Sequence, residues 1–206
     1  MKVLIWRKRI ILIVLCVLLC VAGVTVYFTA IRLTFQPKPL YTIVIDAGHG
    51  GRDGGAVGTS GITESELNLK YAKRLESLCE DYGIGVTMTR SDMNGLYDES
   101  ASNKKRSEME RRKNIINTSG ADLMISIHMN SFPLPSSNGA YVFYANGSEE
   151  GLVLAKSVQT SLCQSFDNAR DFVSVGDYFV LNYSNMPSVL VECGFLSNPE
   201  EEQNLK

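Results

Sequence analysis

The chain has 206 residues, with 20 basic and 22 acidic side chains, two histidines and five cysteines. Five of the basic residues fall in the first 36 positions, leaving 15 against 22 acidic residues beyond them, a formal charge of −7. That balance argues against nucleic acid as a partner, because phosphate binding depends on basic clusters.

The N-terminus is a separate segment. Ile10 to Ile31 is a run of 22 residues without charge, long enough to cross a hydrocarbon core of roughly 30 Å as a helix. Lys2, Arg7, Lys8 and Arg9 precede it and Arg32 follows. The positive-inside rule then places residues 1–9 in the cytoplasm, 10–31 in the membrane as a single anchor, and the rest outside. A cleaved signal peptide needs a shorter apolar core and a small-x-small site, which Val26-Tyr-Phe-Thr-Ala-Ile31 does not offer. Lipid attachment at Cys20 is disfavoured by Leu18 and Leu19 before it. Gln36-Pro-Lys-Pro39 reads as a stiff linker within 32–40, since closely spaced prolines exclude helix and central strand. Residues 41–206 are an ordinary length for one globular domain.

That domain alternates short apolar runs with helix-periodic stretches, the pattern of an α/β fold with a mostly parallel, twisted sheet of about six strands flanked by helices. The expected strands are Thr42–Ala47, Gly85–Thr89, Leu123–His128, Ala140–Tyr144, Tyr178–Leu181 and Val189–Glu192. Thr63-Glu-Ser-Glu66 is a capping box that opens a helix carrying Leu67, Tyr71, Leu75 and Leu78 at helical spacing, closed by Gly83. A second capping box, Ser107-Glu-Met-Glu110, predicts a helix running toward Thr118 with Gly120 at its end. A third helix is expected over about 149–166. Asp92–Lys105 is the most polar connection and reads as a surface loop. Lys104-Lys-Arg106 with Arg111-Arg-Lys113, interleaved with Glu108 and Glu110, reads as a solvated helix face. Outside the membrane run, Cys79, Cys163 and Cys193 lack metal-knuckle spacing, so buried reduced thiols are expected.

Both histidines end apolar runs, His49 in Ile45-Asp-Ala-Gly-His-Gly-Gly51 and His128 in Ile125-Ser-Ile-His128. Neighbouring parallel strands would project them from one sheet edge, where open α/β sheets bind ligands. Hydrolytic zinc sites take three protein ligands from His and carboxylates. Glu66 has a local task in its capping box, whereas Glu64 has none, so Glu64 is the third candidate ligand; the helix dipole alone would also favour an acid there. The glycines after His49 do not form a phosphate loop, since neither G-x-x-x-x-G-K-[ST] nor a strand-to-helix G-x-G-x-x-G is present. Asp46 either orients an imidazole or holds the glycine loop by its backbone amides. Glu192, in Pro187-Ser-Val-Leu-Val-Glu-Cys-Gly-Phe195, is costly at the end of so apolar a run and needs a partner. Arg90 and Arg170 are the obvious mates for an ion pair; beside a zinc ion, Glu192 would instead be a general base. Cys193 falls on the opposite face of that strand, as a core thiol.

These segments resemble a known family. Ile45-Asp-Ala-Gly-His-Gly-Gly51, the Glu64 helix start with Asn68-Leu69, Thr89-Arg-Ser-Asp92, Glu110-Arg111, Ala121–Asn130 and Met186–Pro199 are similar to the zinc-dependent N-acetylmuramoyl-L-alanine amidases of the amidase-3 type, in order across residues 41–206. The resemblance implies cleavage of the amide between N-acetylmuramic acid and L-alanine in peptidoglycan, with His49, Glu64 and His128 as zinc ligands and Glu192 as the catalytic glutamate. A small catalytic domain behind a membrane segment is most similar to the sporulation members, which help to form the muramic-δ-lactam of the spore cortex needed for germination. An accessory protein that aids metal loading or stability is a further expected partner. Two departures stand out. The family usually continues past Phe-Leu-Ser-Asn-Pro into another helix, whereas this chain reaches Lys206 soon after, which predicts an incompletely covered last strand. Asn182-Tyr183 also stands where many members carry an Arg-Asn pair. The rival functions are a non-catalytic peptidoglycan-binding scaffold and a zinc peptidase acting on the stem peptide.

Overall fold

The computed structural model describes residues 2–34 and 39–206, so residues 35–38 of the expected linker lie outside the described residues. The chain divides into two units, residues 1–38 and 39–206. In the first, helix α1 spans Lys2–Thr34, and its Ile11–Thr29 stretch is long and apolar enough to cross a membrane, with none of it buried in protein.

The second unit is a single sheet between helices. Its elements are β1 (Thr42–Ala47), α2 (Glu64–Asp81), β2 (Gly85–Met88), α3 (Lys104–Thr118), β3 (Leu123–Asn130), β4 (Tyr141–Tyr144), α4 (Glu149–Ser165), β5 (Ser174–Val175), α5 (Phe179–Asn182), β6 (Ser188–Phe195) and α6 (Pro199–Leu205). The six strands run in the order β2-β1-β3-β6-β4-β5, parallel except for the antiparallel pairing of β4 with β6. Alternate residues of each strand feed two apolar layers. Ile43, Ile45, Ala47 and Ile127 pack with Leu69 and Ala72 of α2, and Val44, Met124 and Leu190 pack with Ile116 of α3 and Val180 and Leu181 of α5. Both faces being covered explains the nearly continuous apolar runs.

Helix α2 begins as its capping box requires: Thr63 accepts from the Glu66 amide, and Glu66 Oε2 accepts from the Thr63 N–H at 3.0 Å. Gly83 and Gly120, both left-handed, follow the ends of α2 and α3.

Several expectations are corrected. Helix α3 starts three residues before the expected box, because Asn103 Oδ1 caps it by accepting from the Arg106 N–H at 2.9 Å. Ser107 is left inside the helix, where its Oγ accepts from the Asp98 N–H at 3.0 Å. The run Tyr178–Leu181 is not a strand; Tyr178 precedes the short helix α5, whose Val180 and Leu181 are buried against Val44, Met124 and Leu190. The two-residue β5, Ser174–Val175, is additional to the strands expected from the sequence. The last strand is followed by α6, capped by Asn198 and by Pro199 at its first position, with Leu205 packed against Leu67, Met129 and Leu196. An apolar groove of about 620 Å³, lined by Leu75, Leu78, Ile125, Ile127, Val191 and Leu205 among others, still lies over β3 and β6.

The largest correction concerns the basic run of α3. Arg112 is 1% exposed and Glu108 2%. Arg112 Nη2 donates to Glu108 Oε1 at 2.9 Å, and Nη1 is ion-paired with Asp46 Oδ1. Asp46, which is fully buried, also accepts from Thr89 Oγ1 at 2.8 Å and Ser126 Oγ at 2.6 Å. Burial opposes its ionisation, but Arg112 and the two hydroxyls hold its carboxyl below the usual range. Asp46 is thus occupied by Arg112, and neither reading of it from sequence holds. Breaking such a pair by removing one partner leaves buried charge uncompensated. Arg112→Ala should therefore lose about 3–5 kcal/mol of stability in urea unfolding of the detergent-solubilised chain; a loss below about 1 kcal/mol, the value of a surface pair, would contradict this description.

Candidate metal centre

The parallel register of β1 and β3 brings the two histidines together at the C-terminal edge of the sheet. His49 leaves β1 with φ 60°, the one non-glycine residue with positive φ among the described residues. Such a conformation persists only where the surroundings enforce it. Two buried arginines do so. Arg90 donates to the carbonyls of Ala47 at 3.0 Å, Gly48 at 2.9 Å and Ser65 at 2.8 Å. Arg112 donates to Ala47 O at 2.8 Å and His49 O at 3.0 Å. The turn that ends β1 therefore has its carbonyls satisfied by guanidinium groups rather than by a strand.

The imidazoles of His49 and His128 lie 5.0 Å apart, centre to centre, at 72°. Between them sits the Glu64 carboxylate, delivered by the first turn of α2. Its Oε1 is 3.1 Å from His49 Nε2 and 2.8 Å from His128 Nδ1. One donor atom from each of the three residues lies within 4.8 Å of the others. Glu64 is itself held in place: Oε1 accepts from the Met129 N–H at 3.2 Å and Asn68 Nδ2 at 3.4 Å, and Oε2 from the Ala56 N–H at 2.9 Å. Space is reserved around them. A side chain at Gly48 would overlap the His128 ring, and one at Gly55 would overlap the Glu64 carboxylate. Two imidazoles and a carboxylate around one point are a donor set suited to zinc.

The electrostatics agree. Burial opposes the charge of Glu64, but hydrogen bonds from His128 and His49 outweigh it and hold the carboxyl well below its ordinary value. Burial opposes protonation of His49, yet Glu64 and Asp53 raise its affinity for a proton. Asp53 Oδ1 is 2.9 Å from His49 Nδ1, at ion-pair distance though off the line of a ring hydrogen bond, and Asp53 also pairs with Lys105. Asp53 thereby takes the position expected of Asp46. No feature of its glycine-rich surroundings in the sequence distinguished it.

Glu192 is the cross-strand partner of His128 in the β3–β6 register and is 7% exposed. Its Oε2 has no hydrogen-bond partner among the described residues. Neither expected ion pair forms: Arg90 is committed to the β1 turn, and Arg170 stacks on aromatic rings. Burial, with repulsion from Glu64, pushes the Glu192 carboxyl up to about 8, against a smaller opposing effect of His49. Tyr178, Lys105 and Met109 line a small pocket with His49 and His128. The sequence marks Tyr178 only as part of a strand; its phenol is pushed up to about 12 by burial and by Glu192. Cys193 faces away, beside the groove. Asn182 Nδ2 donates to Asp177 Oδ1 at 2.6 Å, and the Tyr183 carbonyl accepts from Asn117 Nδ2 at 2.8 Å.

Comparison with known proteins accords with this geometry. The germination-specific N-acetylmuramoyl-L-alanine amidase of Bacillus subtilis (strain 168) is 36% identical over 163 residues, 77% of this chain and 68% of that protein. The structure of the CwlD amidase from Clostridioides difficile in complex with the GerS lipoprotein is 36% identical, with TM-score 0.76 over 80% of this chain and 87% of that one. An N-acetylmuramoyl-L-alanine amidase from Clostridium difficile 630 superposes with TM-score 0.71 at 33% identity, covering 81% and 86% of the two chains. The family described as N-acetylmuramoyl-L-alanine amidase, Amidase_3, matches residues 43–206. With 164 of 206 residues in that match, the chain belongs to the Amidase_3 family and is an N-acetylmuramoyl-L-alanine amidase.

Proposed function

We propose that the chain is a zinc-dependent amidase that hydrolyses the bond between N-acetylmuramic acid and L-alanine, with His49, Glu64 and His128 as metal ligands and Glu192 as the general base. One observation carries this reading: a His-Glu-His triad directly beside a buried, unpartnered glutamate. A structural ion pair would have left Glu192 with a cation, and a binding scaffold has no use for an orphaned buried acid. When bound, zinc supplies Lewis-acid polarisation of the scissile carbonyl and lowers the pKa of a water.

The chain's own residues do the rest. Asp53 steadies His49, and Asn68 with the Met129 and Ala56 amides steadies Glu64, as outer partners of metal ligands commonly do. Glu192 takes a proton from the attacking water and returns it to the leaving nitrogen of L-alanine. Burial and Glu64 raise its proton affinity in the metal-free chain, and a cation held by the three ligands would oppose that rise and leave the carboxylate free to accept the water's proton.

The apolar helix α1 is the membrane anchor in this reading, with the N-terminus cytoplasmic and the amidase domain outside. Similarity to a germination-specific amidase supports a role in spore cortex maturation, through formation of muramic-δ-lactam. The CwlD structure with a lipoprotein supports an accessory protein as partner.

Digestion of purified peptidoglycan by the zinc-loaded chain in detergent should release free muramoyl groups and N-terminal L-alanine, and chelation should stop it. New amines confined to the stem would identify a peptidase, and sacculus binding without release a scaffold. Glu192→Gln should retain zinc while losing about 10²–10⁴-fold in kcat; full activity in that variant would remove Glu192 from the mechanism.

Glu192 also makes the metal-free protein sensitive to pH. Its folded proton affinity exceeds that of the unfolded chain, so the native state holds a proton that the unfolded state has lost between the ordinary value of 4.5 and about 8. Stability from this group therefore falls as pH rises through that window. Melting of metal-free wild type should decline relative to Glu192→Gln from pH 5 to 8; parallel curves would contradict the raised value.

A further inference from the structure

Arg170 is a cation without an acid. Its backbone is tied to the β4 end of the sheet, with its N–H donating to Ala140 O at 3.0 Å and its carbonyl accepting from Cys163 Sγ at 3.2 Å. The guanidinium lies 4.6 Å from the ring centre of Tyr141, 5.2 Å from Phe195 and 5.8 Å from Phe172. Tyr141 and Phe195 are stacked at 14° with centres 6.4 Å apart. Among the described residues the side chain makes one hydrogen bond, a long one from Nε to Asn138 O at 3.4 Å. Among the described residues no carboxylate lies within ion-pair distance of its terminal nitrogens.

Its position relates it to the site. Tyr141 is directly opposite Glu192 in the antiparallel β4–β6 register, so both side chains rise from the same face of the sheet. Tyr141 Oη accepts from Nδ2 of Asn130, two residues beyond His128. Cross-strand partners stand about 5 Å apart, and the guanidinium lies 4.6 Å from the Tyr141 ring centre. A guanidinium fixed by aromatic stacking with its terminal nitrogens free is a preorganised fork for a planar carboxylate.

We infer that Arg170 is a specificity residue that binds a carboxylate of the leaving stem peptide, on the residue that follows L-alanine. The inference rests on the proposed reaction at Glu192. With the scissile amide there, a dipeptide spanning about 7 Å reaches from the leaving nitrogen to the region of the Tyr141 ring. L-Alanine then passes Tyr141, and the next residue's carboxylate takes the two unpaired nitrogens of Arg170.

Two tests run in parallel on the full zinc-loaded chain in detergent. The probes are two muramoyl peptides differing only in whether the carboxylate after L-alanine is free or amidated, and the two corresponding free peptides. Wild type should favour the free acid by about tenfold or more in kcat/KM, mainly through KM, as expected for a hydrogen-bonded charge pair. Calorimetry of the free peptides should show the same preference. In Arg170→Gln both ratios should fall toward one, and Arg170→Lys, which keeps the charge but not the fork, should retain part of each. Equal handling of the two probes by wild type would overturn the inference. So would an Arg170→Gln variant that weakens both probes by one common factor, which is the mark of a purely structural stack. If wild type cleaves neither muramoyl peptide, the amidase mechanism fails, while the calorimetric ratio still decides the role of Arg170.

Discussion

The end of β1 is the constraint on which the site depends. A strand that stops in a tight turn leaves carbonyls without sheet partners, and buried carbonyls must be satisfied. Here Arg90 and Arg112 satisfy those of Ala47, Gly48 and His49, while Asp46 and Glu108 hold Arg112 itself. That arrangement fixes His49 in a left-handed conformation a free chain would seldom visit. The buried charges are thus devoted to backbone geometry, and the geometry aims an imidazole at Glu64.

Three glutamates show how environment separates chemically identical groups. Glu66 closes a capping box at the surface. Glu64, two residues earlier, is buried among donors and held ionised. Glu192 is buried without a donor for Oε2 and holds its proton up to about 8. Titratable groups pushed in opposite directions within one site are the usual arrangement of a ligand or stabiliser beside a general base.

The residues of the candidate site were legible because each is a polar group out of place in its local pattern: His128 and Glu192 within apolar strands, His49 just beyond one, and Glu64 in a helix's first turn. The capping box released Glu64 from a local role, and the ends of two apolar runs marked the histidines. What the pattern could not show was long-range pairing. An Arg-Glu pair four residues apart looks the same on a solvated helix as on a buried one, so the sequence alone does not reveal that Arg112 and Glu108 are buried. The partner of Asp46 lay on α3, and that of His49 was Asp53 in the glycine loop; neither has a local signature. The short apolar run at Tyr178–Leu181 fits a strand or one helical turn, and only its packing under β6 decides between them. The Ser107 box matched the capping pattern, but the cap is Asn103, and Ser107 Oγ lies inside the helix accepting from the Asp98 N–H. The pairing of β4 against β6 was likewise beyond local pattern, yet it sets Tyr141 beside Glu192.

We propose that two imidazoles and one carboxylate, rather than the thiol of Cys193 on the other face of β6, hold the metal. X-ray absorption at the zinc edge of the zinc-loaded full chain tests it directly. The expected result is a light-atom nitrogen and oxygen shell with outer scattering from two imidazoles, reduced to one in His128→Ala. A sulfur shell, or an imidazole count unchanged in that variant, would contradict it.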